Sequence, residues 1–306
     1  MLFSEKYSAE IQSIDLKSWF KTNISLDILR EDQVHPKVSG NKFRKLKYNI
    51  KEAIRLKQTP IITFGGAYSN HIAAVAAAGN IYNIPTVGII RGEELIKTYL
   101  ENPTLNYAVS QGMKLEFISR EQYTLKNSET FHKRLKERYT NPFIIPEGGT
   151  NALAVKGCAE ILDTIDSSYD YIMVSVGTGG TMAGIIEASA SEQEVVGYSA
   201  LKGTFQISEI EKYTVKRNYR ITDEYSFGGY AKIDAELVRF INEFKINTGI
   251  PLDPVYTGKM LYGIMDDLKK NKFRENTRIL AIHTGGLQGI NGMNTILKKK
   301  NLPQII

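Results

Sequence analysis

Tyr171-Ile-Met-Val-Ser-Val-Gly177-Thr-Gly-Gly-Thr181-Met-Ala-Gly184 runs from an apolar, β-branched stretch through a glycine turn into a series of small residues. An apolar run of this length bounded by glycine predicts a strand buried on both faces, as in a parallel sheet, followed by a helix. The start of such a helix presents unpaired N–H groups and the positive end of the dipole, which suits a phosphate. The same residues exclude two nucleotide motifs. The P-loop pattern G-x-x-x-x-G-K-[ST] is absent. The dinucleotide fingerprint fits Gly177 and Gly179 but meets Met182 at its third glycine, and Ala200-Leu201-Lys202 stands where a ribose-binding acid would follow the next strand. A monophosphate ester is the better fit for Gly177, Thr178, Gly179, Gly180 and Thr181.

Working outward, short β-branched runs alternate with helical patterns along most of the chain. Strands are predicted over 61–64, 86–90, 115–118, 143–145, 171–176, 195–199 and 278–282. Helices are predicted over 42–56, 69–81, a segment after Pro103, 129–138, 151–165, 181–188, 234–247 and 259–268. This alternation implies βα units and parallel sheets covered by helices. Glycines cluster at strand exits: Gly65-Gly66, Gly148-Gly149, Gly177 to Gly180, and Gly285-Gly286. Each alone is an ordinary tight turn. Together they suggest one crevice, because open α/β sheets bind ligands at the carboxyl ends of their strands.

The 306 residues are 42% hydrophobic, 24% charged and 10% aromatic, which excludes collagen-like, disordered and low-complexity chains. Lys and Arg number 39 against 33 acids, a formal charge of +6. That excess is spread along the chain and not set beside aromatics, so nucleic acid is not the expected partner and a small anion is. The single cysteine, Cys158, rules out an intrachain disulfide and favours a reducing compartment. Met1 to Lys6 show no leader pattern, and no apolar run reaches the roughly 20 residues of a membrane span. A cytoplasmic protein is expected. The four histidines, His35, His71, His132 and His283, have no ligand spacing, so no metal is expected.

Three further segments can carry chemistry. In Val38-Ser-Gly40-Asn41-Lys42-Phe-Arg44-Lys45-Leu-Lys47, a lysine on a first helical turn among other cations feels two influences that favour its neutral amine. That is the form Schiff-base chemistry needs; the alternative is a solvated basic face. In Gly65-Gly66-Ala-Tyr68-Ser69-Asn70-His71, Ser69 is a natural N-cap for the alanine-rich helix that follows. The glycines are misplaced for a G-x-S-x-G hydrolase, but Ser69, Asn70 and the helix N–H groups could hold a carboxylate or a cofactor oxygen. In Asp253-Pro-Val-Tyr256-Thr257-Gly258-Lys259, Tyr256 precedes a helix and taken alone reads as a core aromatic.

Taken in order, Ser39-Gly-Asn-Lys-Phe-Arg-Lys-Leu46, Gly65-Gly-Ala-Tyr-Ser-Asn70, Pro146-Glu-Gly-Gly149, Val176-Gly-Thr-Gly-Gly-Thr181, Asp253 to Lys259 and His283-Thr-Gly-Gly286 make the chain resemble the pyridoxal-phosphate enzymes of the tryptophan-synthase-β type. Within these it is similar to the branch of D-cysteine desulfhydrase and 1-aminocyclopropane-1-carboxylate (ACC) deaminase. The resemblance implies an α/β fold of two open twisted parallel-sheet domains, with pyridoxal 5'-phosphate in the cleft between them. The larger domain would be residues 1–47 plus 151–306, the smaller an insertion over 48–150. It further implies a homodimer.

Position by position, the resemblance puts Lys42 at the covalent cofactor attachment. Ser69 and Asn70, with Tyr68 beside them, fall at the substrate carboxylate and the cofactor's phenolic oxygen. Gly177 to Thr181 match the phosphate cup. Tyr256 and Tyr230 match active-site tyrosines, although Phe227-Gly-Gly-Tyr-Ala231 departs from the family's Gly-Tyr-Gly. Thr284 falls near the pyridine nitrogen and Thr257 near the substrate. ACC deaminases, as the resemblance has it, carry glutamate at position 257 and leucine at 284. Two threonines there favour β-elimination from a small amino acid, D-cysteine going to pyruvate, ammonia and hydrogen sulfide. ACC deamination, β-replacement synthesis and non-catalytic amino-acid binding are the alternatives.

Overall fold

The computed structural model describes Phe3 and residues 7–306. Met1, Leu2 and residues 4–6, read above as carrying no leader pattern, lie outside the described residues. In chain order the elements begin with β1 (Ile11–Ile14), β2 (Ser25–Leu29), α1 (Asn41–Arg55), β3 (Ile61–Gly65) and α2 (Asn70–Tyr82). They continue with β4 (Thr86–Arg91), α3 (Pro103–Ser110), β5 (Lys114–Ile118), α4 (Arg120–Thr124), α5 (Glu129–Arg138), β6 (Phe143–Ile144) and α6 (Ala152–Ala159). The remainder is β7 (Tyr171–Val176), α7 (Gly180–Ala188), β8 (Glu194–Ser199), α8 (Gln206–Ile210), β9 (Tyr219–Thr222), α9 (Ala235–Thr248), α10 (Thr257–Lys269), β10 (Arg278–Ile282) and α11 (Gly289–Lys299).

The chain divides into two compact units. The first comprises Pro36–Val38 and Lys42–Gly157 together with Phe3; the second comprises Tyr7–His35, Ser39–Asn41 and Cys158–Ile306. The first unit is built on a four-stranded parallel sheet in the order β5-β4-β3-β6. All five residues of β3 are buried. One face packs Ile62, Phe64, Val87 and Ile89 against Tyr123 and Leu135. On α2, buried residues run from His71 through Gly79, and a Cβ at Gly79 would lie 2.3 Å from Thr86 Cγ2, so a small residue is needed there. Ser69 caps the start of α2, and Asn83 in the left-handed region (φ 54°) ends it.

The first unit is larger than the 48–150 expected from the sequence: 42–47 and 151–157 belong to it. The reason is α1, which buries Phe43, Leu46, Ile50 and Ala53. Asn49 and Asn151 exchange amide hydrogen bonds, and a Cβ at Gly157 would stand 2.0 Å from Arg44 O. These contacts bind both chain crossings to this unit.

The second unit carries a six-stranded sheet in the order β1-β2-β10-β7-β8-β9. Every pair is parallel except β1 with β2, an antiparallel edge that the alternation did not announce. The stretch 171–176 lies at the centre as β7, between β10 and β8, which is why its residues past Tyr171 are buried. The core is shared among the sheet and α9, α10 and α11, through Met173, Val196, Leu237, Ile241, Ile264 and Leu297. Asp234 caps α9 and Gly249 (φ 74°) closes it. The helix predicted over 151–165 is shorter than expected: α6 ends at Ala159 and a 3-10 turn follows. Among the described residues no helix is long and apolar enough to cross a membrane.

Candidate active site

In the first unit, β3 delivers the chain into Gly65-Gly66 and thence to the start of α2. A Cβ at Gly65 would lie 2.5 Å from Ile72 Cγ1 and 2.7 Å from Ser69 Oγ, so only glycine permits this tight exit. Ser69 Oγ accepts from Ile72 N–H at 3.3 Å, a bond that leaves its own hydroxyl proton uncommitted. Tyr68 is exposed. Asn70 Oδ1 is buried without a hydrogen-bond partner, and so is Nδ1 of the neighbouring His71. Buried polar atoms are seldom left unpaired, and here two of them are adjacent at one helix start.

The His71 tautomer follows from its surroundings. Thr63 Oγ1 donates its proton to Ile145 O at 2.9 Å and therefore accepts from His71 Nε2–H at 2.8 Å. Nδ1 is left carrying a lone pair. Burial first, and then the charges of Lys42 and Lys45, hold His71 well below the usual imidazole range. The ring is neutral and sits against Gly149, where a Cβ would be 2.8 Å from Cε1. Lys45, read from sequence as one of a run of cations, is buried; its Nζ donates to Gly148 O at 2.9 Å and Thr150 Oγ1 at 3.2 Å. It is a strut for the Glu147–Gly149 turn. Lys42, half-buried on the first turn of α1, stands near enough for its charge to reach His71.

In the second unit, β7 exits through Gly177-Thr178-Gly179 into α7. Gly179 takes φ 91° at the N-cap position and, having no side chain, makes no cap bond of its own to the first N–H groups of α7. Side chains close the surroundings: a Cβ at Gly177 would meet Tyr256 Cε1 at 3.1 Å, and one at Gly179 would meet Ile210 Cγ1 at 3.1 Å. Tyr230 lies beside Tyr256, the ring centroids 6.2 Å apart and the planes 66° to each other. Thr284 Oγ1 shares a hydrogen bond with Ser175 Oγ at 3.1 Å. Asn41 joins these loops, its N–H donating to Thr284 O at 3.1 Å and its Nδ2 to Thr181 Oγ1 at 2.8 Å. Gly40 (φ 63°) is required here, because a Cβ would be 2.0 Å from Thr284 O. Lys42 is the very next residue after Asn41 in the chain.

Tyr256 is positioned by one carboxylate. Asp253 accepts from the N–H groups of Val255, Tyr256 and Thr257 and from Thr257 Oγ1, at 2.7 to 3.1 Å. Thr257 Oγ1 also accepts from Asp253 N–H at 3.0 Å. Its side chain is fully buried and its hydroxyl spent. Thr257, the first residue of α10, is thus bound to Asp253 through both its N–H and its hydroxyl. Sequence reading passed over Asp253, Ser175 and the tautomer of His71. The Asp-Pro-x-Tyr-Thr spacing could have shown the Asx turn; nothing in the sequence could have shown the other two.

The two parallel-sheet units, each with a glycine turn leading from a buried strand into a helix, have the tryptophan-synthase-β type of fold of pyridoxal-phosphate enzymes. The family model described as "Pyridoxal-phosphate dependent enzyme" matches residues 24–285, and the chain belongs to that family. The chain is 33% identical over 299 residues to the mitochondrial bifunctional D-cysteine desulfhydrase/1-aminocyclopropane-1-carboxylate deaminase of Arabidopsis thaliana, covering 86% of this chain and 72% of that one. It is 32% identical over 287 residues to a Pyrococcus furiosus protein provisionally named 1-aminocyclopropane-1-carboxylate deaminase, covering 86% and 84%. A solved structure described as an ACC deaminase homologue superposes with a TM-score of 0.80 at 26% identity, over 95% of this chain and 94% of that one.

Proposed function

We propose that the chain is a D-cysteine desulfhydrase, converting D-cysteine and water to pyruvate, ammonia and hydrogen sulfide. The observation that carries this reading is the environment of Thr257. By resemblance, an ACC deaminase holds glutamate directly after the tyrosine of the Val-Tyr motif. Here that position is a fully buried threonine whose hydroxyl is tied to Asp253. Position 257 therefore supplies no acid-base group directly after Tyr256. Opening a cyclopropane that has no α-proton needs such a group; expelling a thiolate after α-proton removal does not. ACC deamination is the second reading, favoured by the names of the relatives.

When bound, pyridoxal phosphate supplies an electron sink at the substrate's α-carbon. Lys42 is its point of covalent attachment. Gly177, Thr178, Gly179, Gly180 and Thr181 hold the phosphate with backbone N–H groups at the head of α7, reinforced by the dipole. Asn70 would meet the cofactor's phenolic oxygen, where its buried Oδ1 could gain a partner. Ser69 Oγ–H and the first N–H groups of α2 hold the substrate carboxylate. The Lys42 amine takes the α-proton as general base. The Tyr256 phenol, next to Tyr230, gives a proton to the departing sulfur. Thr284, a hydroxyl already shared with Ser175, would be the partner of the ring nitrogen; a hydroxyl would not keep that nitrogen protonated as a carboxylate does, so the sink would be weaker, which suits an easy elimination. Family resemblance supports a homodimer, and the buried Cys158, the single cysteine of the chain, fits a reducing compartment such as the cytoplasm.

Purified protein assayed with D-cysteine, L-cysteine, D-serine and ACC side by side tests the assignment, with pyruvate and sulfide expected from D-cysteine. Faster 2-oxobutanoate formation from ACC would replace it with the second reading. Lys42→Ala should abolish both the visible absorbance of the lysine-bound cofactor and turnover; survival of either removes Lys42 from the mechanism.

A further inference from the structure

One buried cation in the second unit has no part in the chemistry above. Lys259, on the first turn of α10, is 1% exposed. Its Nζ donates to Ser226 O and Gly229 O, both at 2.7 Å, and reaches Ala200 O at 3.4 Å. An ammonium has three N–H donors and no acceptor, and here three carbonyls from two separate chain segments converge on it. Neither segment is a strand or a helix at those points: Ala200 follows β8, and Ser226 and Gly229 lie between β9 and α9. Burial lowers Lys259 to about 8, with the Asp253 carboxylate pulling the other way.

The segment held in this way is strained. Phe227 (φ 51°), Gly228 (φ 86°), Gly229 (φ 116°) and Ala231 (φ 55°) all lie at positive φ, a region costly for the two residues that carry side chains. Short turn bonds, Gly229 N–H to Ser226 O and Lys232 N–H to Gly229 O, do not tie it to the rest of the unit. Lys259 does. Tyr230 rides in the middle of this segment, against Tyr256, which is three residues before Lys259 at the head of α10. One helix head thus sets both tyrosines, Tyr256 directly and Tyr230 through the lysine.

We propose that Lys259 is a positioning residue: a tethered ammonium that fills a monovalent-cation seat made by the Ala200, Ser226 and Gly229 carbonyls, and thereby holds the Tyr230 segment against Tyr256. Its consequence for activity rests on the assignment of Tyr230 and Tyr256 to the active site; its structural content does not. Removing the side chain should leave a seat that a small free cation can take, and that sets this role apart from simple packing.

Amide hydrogen exchange of residues 226–231 in the full chain tests it. In a buffer whose only cation is tetramethylammonium, Lys259→Ala should speed exchange there by about tenfold or more, as expected for losing buried hydrogen bonds, with residues 177–181 unchanged. Ammonium or potassium chloride should restore most of the protection. Lys259→Met, which fills the seat with an uncharged chain, should show the same acceleration without rescue. Where turnover is measured, kcat should follow the same pattern of loss and cation rescue, with KM less affected. Unchanged exchange at 226–231 in either variant overturns the proposal, as does rescue that is equal in Lys259→Ala and Lys259→Met or absent from both. Should Lys259→Ala not fold, the Lys259→Met exchange measurement decides alone. None of the exchange readouts needs substrate, so they stand or fall apart from the desulfhydrase assignment.

Discussion

The heads of α2 and α7 are both helix starts at the exit of a buried parallel strand, yet they are built differently. The α2 start is made of side chains: Ser69 caps it, and Asn70 Oδ1 and His71 Nδ1 wait unpartnered behind it. The α7 start is built largely of backbone: Gly177, Gly179 and Gly180 carry no side chains, and the N-cap residue, Gly179, supplies no cap bond. A phosphate with several equivalent oxygens is satisfied by a ring of N–H groups. An amino acid must be held by a few groups in one orientation, which needs directional side chains. Under the proposed function, the generic anion would fall to the backbone-built start and the discriminating contacts to the side-chain-built one.

The largest expected effect comes from spoiling the backbone cup. Gly179→Val forces a branched side chain into the left-handed region and against Ile210, 3.1 Å from the new Cβ. Cofactor affinity should fall about 100-fold, read by titrating the visible absorbance, while far-ultraviolet circular dichroism keeps the sheet signal. Ser69→Ala should do the opposite: cofactor retained, KM raised about tenfold, and stability lowered by ~1 kcal/mol for the lost cap. If Ser69→Ala lost the cofactor while Gly179→Val kept it, the division of labour would be reversed.

His71 sharpens the comparison through pH. Its folded pKa is held well below 6.5, so on acidification below 6.5 the unfolded chain takes up a proton that the native ring refuses. Stability attached to neutral His71 is present above 6.5 and is lost as pH falls toward the lowered folded value. The melting temperature of the native protein should therefore drop more steeply between about pH 7 and pH 5 than that of His71→Gln, which has no such group. Parallel curves would show that the ring is not buried neutral at α2. The smallest effect should be Thr257→Ser, which keeps the hydroxyl on Asp253: within about 0.5 kcal/mol in stability and unchanged in kcat/KM. A marked loss of activity in that variant would return residue 257 to the substrate.

Legibility followed burial. Strands β3, β4, β7, β8 and β10 were readable because central parallel strands are apolar on both faces, and their runs end at glycine. β1, β2 and β9 were missed because they are short and mixed, as in Ser25-Leu-Asp-Ile-Leu29 and Tyr219-Arg-Ile-Thr222, and depend on partners remote in sequence. α11 was hidden by a lysine-rich end. At the site, glycine turns and caps have local chemistry and could be read. The roles of Lys45 and Lys259 could not, since a lysine on a helix reads as solvated until a fold surrounds it with carbonyls.

From residues alone came the alternation of strands and helices, the glycine exits and the phosphate-suited turn at 177–181; the choice of Lys42 came from the ordered motifs of the resemblance. The first three rest on interactions between near neighbours in the chain, which composition and spacing encode directly. Only the tertiary structure decided that α1 joins the first unit from Lys42 onward, that Thr257 turns inward to Asp253, that His71 is neutral with Nδ1 open, and that Lys259 is sealed among carbonyls. Those are outcomes of desolvation and long-range pairing, and a polar side chain's partner is known only when the chain has closed around it.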